Sequence, residues 1–382
     1  EYKLYSEVIT AMLQGMEVLC VRVEADLSEG LPIFDMVGYL SSEVREAKER
    51  VRMGLKNSGV RLLPKKITVN LKPAFVRKSG TGFDLPVAVA LASAMGQINK
   101  KLLEEVVIVG EIGLDGAVLP ILGVLPIASK MRELNYHILI IPEENRIEAQ
   151  LIPDLQVIGV RTLGEVIEYL NHGRLPEQSN RLKVEKIVHS GQNDYRCEKD
   201  FSDIHGQTLL KRACEVAVSG RHNMLIVGPP GAGKTMLASR IPSIMPPMNQ
   251  EEILSVTKIY SVCGLLEKEK LKTERPFRAP HHSISLKGMV GGGIQLHPGE
   301  ISLAHQGVLF LDELPEFQKQ TLDNLRQPME DKQITITRAS GSFCYPANFM
   351  LVGAMNPCKC GYYPDFTRCR CTESSIRSYL NK

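Results

Sequence analysis

The stretch that most limits what this chain can fold into is Gly228-Pro229-Pro230-Gly231-Ala232-Gly233-Lys234-Thr235. One Gly, four residues, then Gly-Lys-Thr is the spacing of a phosphate-binding loop. Such a loop needs a strand to deliver the chain and a helix to receive it. Met224-Leu225-Ile226-Val227 is an apolar run of strand length, and Thr235 to Arg240 opens a helix that stops before Pro242. Glycines let backbone N–H groups turn inward around phosphate oxygens, and the helix N-terminus adds its partial positive charge. The expected phosphate contacts are Gly228, Pro229, Pro230, Gly231, Ala232, Gly233, Lys234, Thr235 and Met236. Lys234 reaches the β- and γ-phosphates of a nucleoside triphosphate, and the Thr235 hydroxyl holds magnesium. A glycine-rich turn with a chance Lys-Thr would lack both flanking elements.

A second signature lies downstream. Val308-Leu309-Phe310-Leu311-Asp312-Glu313 is an apolar strand ending in two acids. Asp312 would bind Mg²⁺ through water, and Glu313 would polarise the attacking water. An acidic strand end is common by itself, and the phosphate loop upstream is what gives this one meaning.

Composition narrows the classes around these motifs. A chain of 382 residues has room for two or three domains with large cores. Its 43% hydrophobic and 23% charged residues are ordinary for a globular protein. A net charge of +3 argues neither for nor against nucleic acid. Trp is absent and aromatics make up 5%, so single-strand stacking platforms have little raw material. No apolar run approaches the roughly 20 residues of a membrane helix, so no membrane partner is expected. Nine cysteines, four of them between Cys358 and Cys371, do not form a disulfide framework. They suit a reducing cytoplasm and one thiolate site.

Residues 1–175 alternate strands with helices, which predicts an α/β domain. Val18 to Val23, Ile67 to Leu71, Val106 to Val109, His137 to Ile141 and Leu155 to Val160 read as strands. Val44, Ala47, Val51 and Leu55 mark an amphipathic helix over 42–57, with Gly59 just past its end. Asp84 is expected to cap a helix through Ala94, with Pro86 in its first turn and Gly96 beyond it. Further helices are expected near 122–134 and 163–171, and Asp115-Gly116 makes a tight turn into Ala117-Val118-Leu119. Gly80-Thr81-Gly82-Phe83-Asp84-Leu85-Pro86 and the run from Gly110 to Pro120 resemble the Lon-protease-like (ribosomal S5-like) domain found on bacterial ATPases. The resemblance puts the serine nucleophile of active Lon enzymes on Gly82 and their lysine near Ile127. Neither side chain can attack a carbonyl or take a proton, so the implied domain is proteolytically inactive. Ser79 and Lys130 are the nearest candidates for a shifted pair.

The pattern loses its period after Gly173, which places a linker over 176–200 and a second domain over 201–382. That domain resembles the AAA+ ATPases, a P-loop αβα architecture. The resemblance implies ATP and Mg²⁺ as ligands. It also implies that Asn356, at the end of the strand Phe349 to Met355, hydrogen-bonds the γ-phosphate or the attacking water. Phe201-Ser202-Asp203-Ile204-His205-Gly206-Gln207 is similar to the stretch that lies against adenine, making Ile204 and His205 candidate base contacts. Arg278-Ala279-Pro280-His281-His282, Pro298-Gly299-Glu300-Ile301-Ser302-Leu303-Ala304-His305, Leu311 to Phe317 and Asn356 to Tyr363 place the chain close to the magnesium-chelatase-like branch of AAA+.

Members of that branch that also carry a Lon-like domain are taken to be hexameric DNA helicases. They promote branch migration in natural transformation on single-stranded or branched DNA. The rival implication is a chelatase-type ATPase that remodels a protein partner; chelatase motor subunits are expected to lack the Lon-like domain. A third is an ATP-dependent protease, disfavoured by Gly82 and Ile127.

Other candidates are more local. His281, His282, His297 and His305 fit no standard zinc spacing and are read as loop and packing residues. Leu322 to Pro328 is expected to be one helix ending at Pro328, with Arg326 either solvated, as surface arginines on helices mostly are, or reaching a neighbouring subunit's phosphate. Arg338, on a strand of a following hairpin, is a second candidate for that role. Cys358, Cys360, Cys369 and Cys371 are candidate Zn²⁺ ligands, four thiolates able to enclose one tetrahedral ion. The alternative is a set of free thiols in a polar loop. The lid and the Leu-x-Asp-Arg segment of AAA+ proteins are expected beyond Lys382, so this chain is expected to hydrolyse nucleotide poorly by itself.

Overall fold

The computed structural model describes residues 4–174, 199–266, 271–293, 296–338 and 341–381. The expected linker lies outside them apart from its last two residues. The described residues form two compact units.

The first unit is built on a seven-stranded sheet in the order β3-β4-β2-β1-β5-β8-β9. Strands β1 (Tyr5–Gln14) and β2 (Glu17–Ser28) form an antiparallel hairpin. Strand β3 (Phe34–Val37) runs parallel to β4 (Lys66–Lys72), and β4 pairs antiparallel with β2. On the other side β5 (Val106–Ile108) joins β1 in parallel. A small hairpin of β6 (Glu111–Ile112) and β7 (Val118–Leu119) turns at Asp115-Gly116, as expected. Strands β8 (Ile138–Pro142) and β9 (Gln156–Val160) complete the sheet in parallel.

Strand β1 is the longest strand that the sequence reading lacks. It is central in the sheet, and Val8 through Met12 are all buried. Without alternation, such a run cannot be told from a short buried helix. The helix Ser42–Asn57 buries Val44, Ala47, Val51 and Leu55, the face its three- and four-residue spacing marks out. The helix Asp84–Ala94 is buried at all 11 positions.

Asp84 does not cap that helix. Phe83 holds the N-cap position and no side chain caps it. The Asp84 carboxylate instead accepts from Arg50 Nε at 2.6 Å and Nη2 at 3.0 Å, and from the Ile112 N–H at 3.4 Å. A carboxylate with no exposed surface needs a countercharge more than a helix end needs a cap. Burial pushes its pKa up, and Arg50 pulls against that rise.

The second unit carries a four-stranded sheet in the order β10-β17-β14-β11, every neighbouring pair parallel. Its members are β10 (Met224–Val227), β11 (Phe277–Arg278), β14 (Val308–Leu311) and β17 (Met350–Met355). Two small antiparallel pairs stand apart from it. They are β12 (Gly291–Gly292) with β13 (His297–Pro298), and β15 (Gln333–Arg338) with β16 (Gly341–Pro346). All of β14 is buried, as a parallel strand covered on both faces requires. Ile226, Leu237, Val308, Phe310, Val352 and Ala354 belong to the core beneath the sheet.

After β14 the chain passes through the β15–β16 hairpin and returns as β17 between β10 and β14. The carboxyl ends of three parallel strands are thereby brought side by side, where open α/β sheets place their ligands.

The stretch expected as one helix ending at Pro328 is two short helices, Lys319–Asp323 and Arg326–Asp331. Proline lacks an N–H, and the first turn of a helix does not need one. Pro328 therefore sits within the first turn of the second helix rather than ending the first. Among the described residues no helix is long and apolar enough to cross a membrane.

Candidate nucleotide site

The loop 228–233 leaves the carboxyl end of β10 and enters the helix Lys234–Ala238. Gly231 has φ +76° and Gly233, at the N-cap, has φ +82°. Both are left-handed conformations that a side chain at Cβ resists. Lys234 folds back across the loop. Its Nζ donates to Gly228 O at 2.8 Å, Pro229 O at 3.0 Å and Asn356 Oδ1 at 3.0 Å. Next to it, the Thr235 hydroxyl donates to Asp312 Oδ2 at 2.7 Å.

The three signatures, far apart in sequence, thus meet in one cleft of about 370 Å³. Its lining runs from Pro230 to Met236 and adds Asp312, Glu313, Met355 and Asn356. A hydroxyl and a carboxylate side by side are hard oxygen donors of the kind Mg²⁺ prefers. An ammonium beside them suits phosphate oxygens.

Glu313 follows Asp312 in a left-handed conformation, φ +52°, and its N–H donates to Asp312 Oδ1 at 2.9 Å. Its carboxylate meets His282, Nδ1 to Oε2 at 3.2 Å. The His281 ring lies tilted against His282 with centroids 4.0 Å apart, and Phe317 approaches His282 edge-on at 6.4 Å. Arg278, at the start of the same stretch, is clamped by Glu300 through two bonds of 2.6 and 2.7 Å.

The sequence reading places His282 among loop and packing residues and does not anticipate its contact with Glu313, which follows β14 far along the chain. The Arg-Ala-Pro-His-His run itself is the only signal that could have drawn attention to it.

The other histidines do not converge. His305 is buried, sharing a hydrogen bond with Ser255 Oγ at 3.0 Å and accepting from Asn348 N at 3.0 Å. Among the described residues the only cluster of three or more side chains able to hold a metal is Cys358, Cys360, Cys369 and Cys371, whose sulfurs all lie within 4.8 Å of one another. Individual separations are 3.4 Å for Cys358–Cys360, 3.7 Å for Cys358–Cys369 and 3.5 Å for Cys360–Cys369. Burial opposes the Cys358 thiolate. Backbone N–H groups of Tyr363 and Gly361 and the adjacent thiols outweigh it, bringing the pKa down to about 6.

Ile204 and His205 do not line the cleft. Ile204 is buried in the core under the sheet with Phe201 and Cys214, and His205 is exposed. Arg326 pairs with Asp323 one turn earlier at 3.2 Å. The side chain of Arg338 lies outside the described residues. In the first unit, a Cβ on Gly82 would press on Val109 Cγ1 at 3.2 Å, and Ile127 is buried. Ser79 is exposed, and Lys130 pairs with Glu133 at 2.9 Å.

Comparison with known proteins agrees with this architecture. Residues 200–382 match the family described as magnesium chelatase, subunit ChlI, and residues 23–145 match the one described as subunit ChlI of Mg-chelatase. The chain belongs to the magnesium-chelatase-like ATPases of the ComM and YifB family. It is 42% identical over 370 residues to competence protein ComM of Haemophilus influenzae, covering 96% of this chain and 71% of that protein. It is 41% identical over 377 residues to the protein YifB of Escherichia coli, covering 99% and 72%. Rv2897c of Mycobacterium tuberculosis is 38% identical over 372 residues, covering 97% and 72%. The match over 23–145 itself carries a chelatase subunit's name.

Proposed function

We propose that this protein is an ATP-driven DNA-remodelling motor. ATP and Mg²⁺ occupy the cleft at the carboxyl ends of β10, β17 and β14. The observation that carries this reading is the contact of Lys234 with Asn356 and of Thr235 with Asp312 across that one cleft.

Lys234 turns from its loop carbonyls to the β- and γ-phosphates, and the loop N–H groups cradle the remaining oxygens. Thr235 and Asp312 would hold a magnesium ion, which would supply charge neutralisation at the phosphates. Glu313 polarises the attacking water, and Asn356 orients it against the γ-phosphate. His282 fixes the direction of the Glu313 carboxylate. The four cysteines hold Zn²⁺ in a closed structural site.

The second domain is the AAA+ core over 201–382, and 1–175 is a Lon-like module. With Gly82 and Ile127 in the nucleophile and lysine positions, that module serves for assembly or partner contact rather than proteolysis. Likeness to a protein named for competence supports a role in natural transformation; the finer reading is a cytoplasmic homo-hexamer that promotes branch migration on single-stranded or branched DNA.

The second reading, a chelatase-type ATPase remodelling a protein partner, has the two matched family descriptions in its favour. ATP hydrolysis measured with and without forked DNA tests the choice. Stimulation together with salt-dependent DNA binding is expected. Neither stimulation nor salt-dependent binding would hand the case to protein remodelling.

A further inference from the structure

The cysteine cluster lies against the phosphate loop itself. Asn356, which accepts from Lys234, is followed by Pro357 and then by Cys358, which is fully buried. Gly361 has φ +85° and donates its N–H to Cys358 O at 3.0 Å. A Cβ built on Gly361 would stand 2.8 Å from Cγ of Pro230 and closer still to its Cδ. Only a residue without a side chain fits between the knuckle and the loop. The knuckle backbone is therefore the surface on which Pro230 rests.

The segment that forms this surface has almost nothing apolar to hold it. Across 356–371 there is no helix or strand, and only Cys358 and Gly361 are buried. Phe366 is 80% exposed, and Tyr362 and Tyr363 also face solvent. What organises the turn is polar and local. Cys369 N donates to Asp365 O at 2.7 Å, and Thr367 N donates to Asp365 Oδ1 at 3.0 Å. The sulfurs of Cys358, Cys360 and Cys369 stand 3.4, 3.7 and 3.5 Å from one another, and that of Cys371 lies within 4.8 Å of them. Four thiolates at tetrahedral reach, with no other ligand type beside them, select a borderline-soft divalent ion such as Zn²⁺. A segment this exposed gains its order from such an ion, as small metal-held domains do.

We propose that Zn²⁺ bound by Cys358, Cys360, Cys369 and Cys371 is the buttress of the nucleotide site. Its occupancy sets where Pro230 and Asn356 stand, and so how tightly the cleft holds a nucleotide. This rests on the reading of 228–235 as a phosphate loop. Loss of the ion frees the 358–371 turn, removes the surface behind Pro230, and releases Asn356 from its place beside Lys234. Misplacing groups that contact phosphate by about 1 Å is costly, so the effect on the adjoining cleft is large.

The test measures zinc content and nucleotide affinity separately on the whole chain. Protein purified without added zinc is analysed for metal, then titrated with a fluorescent ATP analogue and Mg²⁺. The titration is repeated after zinc removal by a strong chelator and after zinc is returned. About one equivalent of zinc is expected, with affinity falling about tenfold or more on removal and recovering on return. Gly361→Val, which keeps all four ligands, should keep its zinc and still lose affinity, because its side chain would displace Pro230. Hydrogen exchange of amides 231–235 should quicken in the zinc-free protein whether or not nucleotide is present.

Less than half an equivalent of zinc overturns the metal site. Zinc-free protein that binds the analogue as tightly as the zinc form, with unchanged exchange in the loop, overturns the coupling. Zinc-loaded wild type that binds no nucleotide, while Lys234→Ala binds the same amount of zinc, overturns the nucleotide reading and the coupling with it.

Discussion

Replacing Lys234 by Ala distinguishes a lysine that binds phosphate from one that merely braces a loop. An ammonium has three donors and no acceptor. In the structure all three are engaged, by Gly228 O, Pro229 O and Asn356 Oδ1. Gly228 is half-buried and Pro229 exposed, so water replaces the lost donors once the side chain is gone. Each such bond contributes about 0.5–1.5 kcal/mol net to folding in general, and less where water takes over. The expected loss of stability is about 1 kcal/mol, a fall in Tm of about 2–4 °C.

Toward a triphosphate the same ammonium makes charge-assisted bonds of about 1.5–3 kcal/mol each. Two of these, less the internal bonds given up on turning, leave about 2–4 kcal/mol. At about 1.4 kcal/mol per factor of ten, that is a weakening of roughly 30- to 1000-fold. The assay is titration of a fluorescent ATP analogue with Mg²⁺, run beside thermal unfolding of the same samples. An affinity within about threefold of the parent would refute the reasoning. So would a large drop in Tm with no loss of affinity beyond the unfolded fraction.

Other expectations follow from single contacts. Glu313→Gln should leave nucleotide affinity within a few-fold while lowering kcat by about 10²–10⁴, the range for loss of a general base; steady-state and binding assays together check it. His282→Ala, which frees the Glu313 carboxylate from its 3.2 Å partner, should lower kcat with little change in KM, and a matching rise in KM would argue against a positioning role. Arg50→Met should destabilise the first unit by about 3–5 kcal/mol, because Asp84 has no exposed surface and would be left charged and unpaired; denaturant unfolding measures it, and adding Asp84→Leu should restore most of the loss. His305 is held by burial at about 4 against an ordinary 6.5. The unfolded chain therefore binds the extra proton first, and stability should fall as pH drops from about 6.5 to 4, by up to about 3 kcal/mol. Charging would also put a proton on Nδ1, which faces the Asn348 N–H. His305→Gln should flatten that part of the stability profile.

The sequence by itself determined the phosphate loop, the acidic strand and the Asn strand. Each is a local pattern whose meaning lies in consecutive residues: glycines before a lysine, an apolar run before two acids. It also determined the amphipathic helix over 42–57 and the clustering of four cysteines, since both are short-range spacings. Only the tertiary structure decided what depends on chains crossing. The return of β17 between β10 and β14 brings Asn356 to Lys234 and Asp312 to Thr235, and no periodicity encodes strand order. The burial of Asp84 overrides its local preference for a helix cap, because a charge removed from water must find its counterion wherever the fold provides one. Ile204 is drawn into the core for the converse reason, an apolar side chain that gains more under the sheet than at an open cleft. His282 meets Glu313, and Gly361 meets Pro230, through packing between segments far apart in the chain. Contacts of that kind are settled by shape and burial summed over the whole unit, which is why they became legible only when the chain was folded.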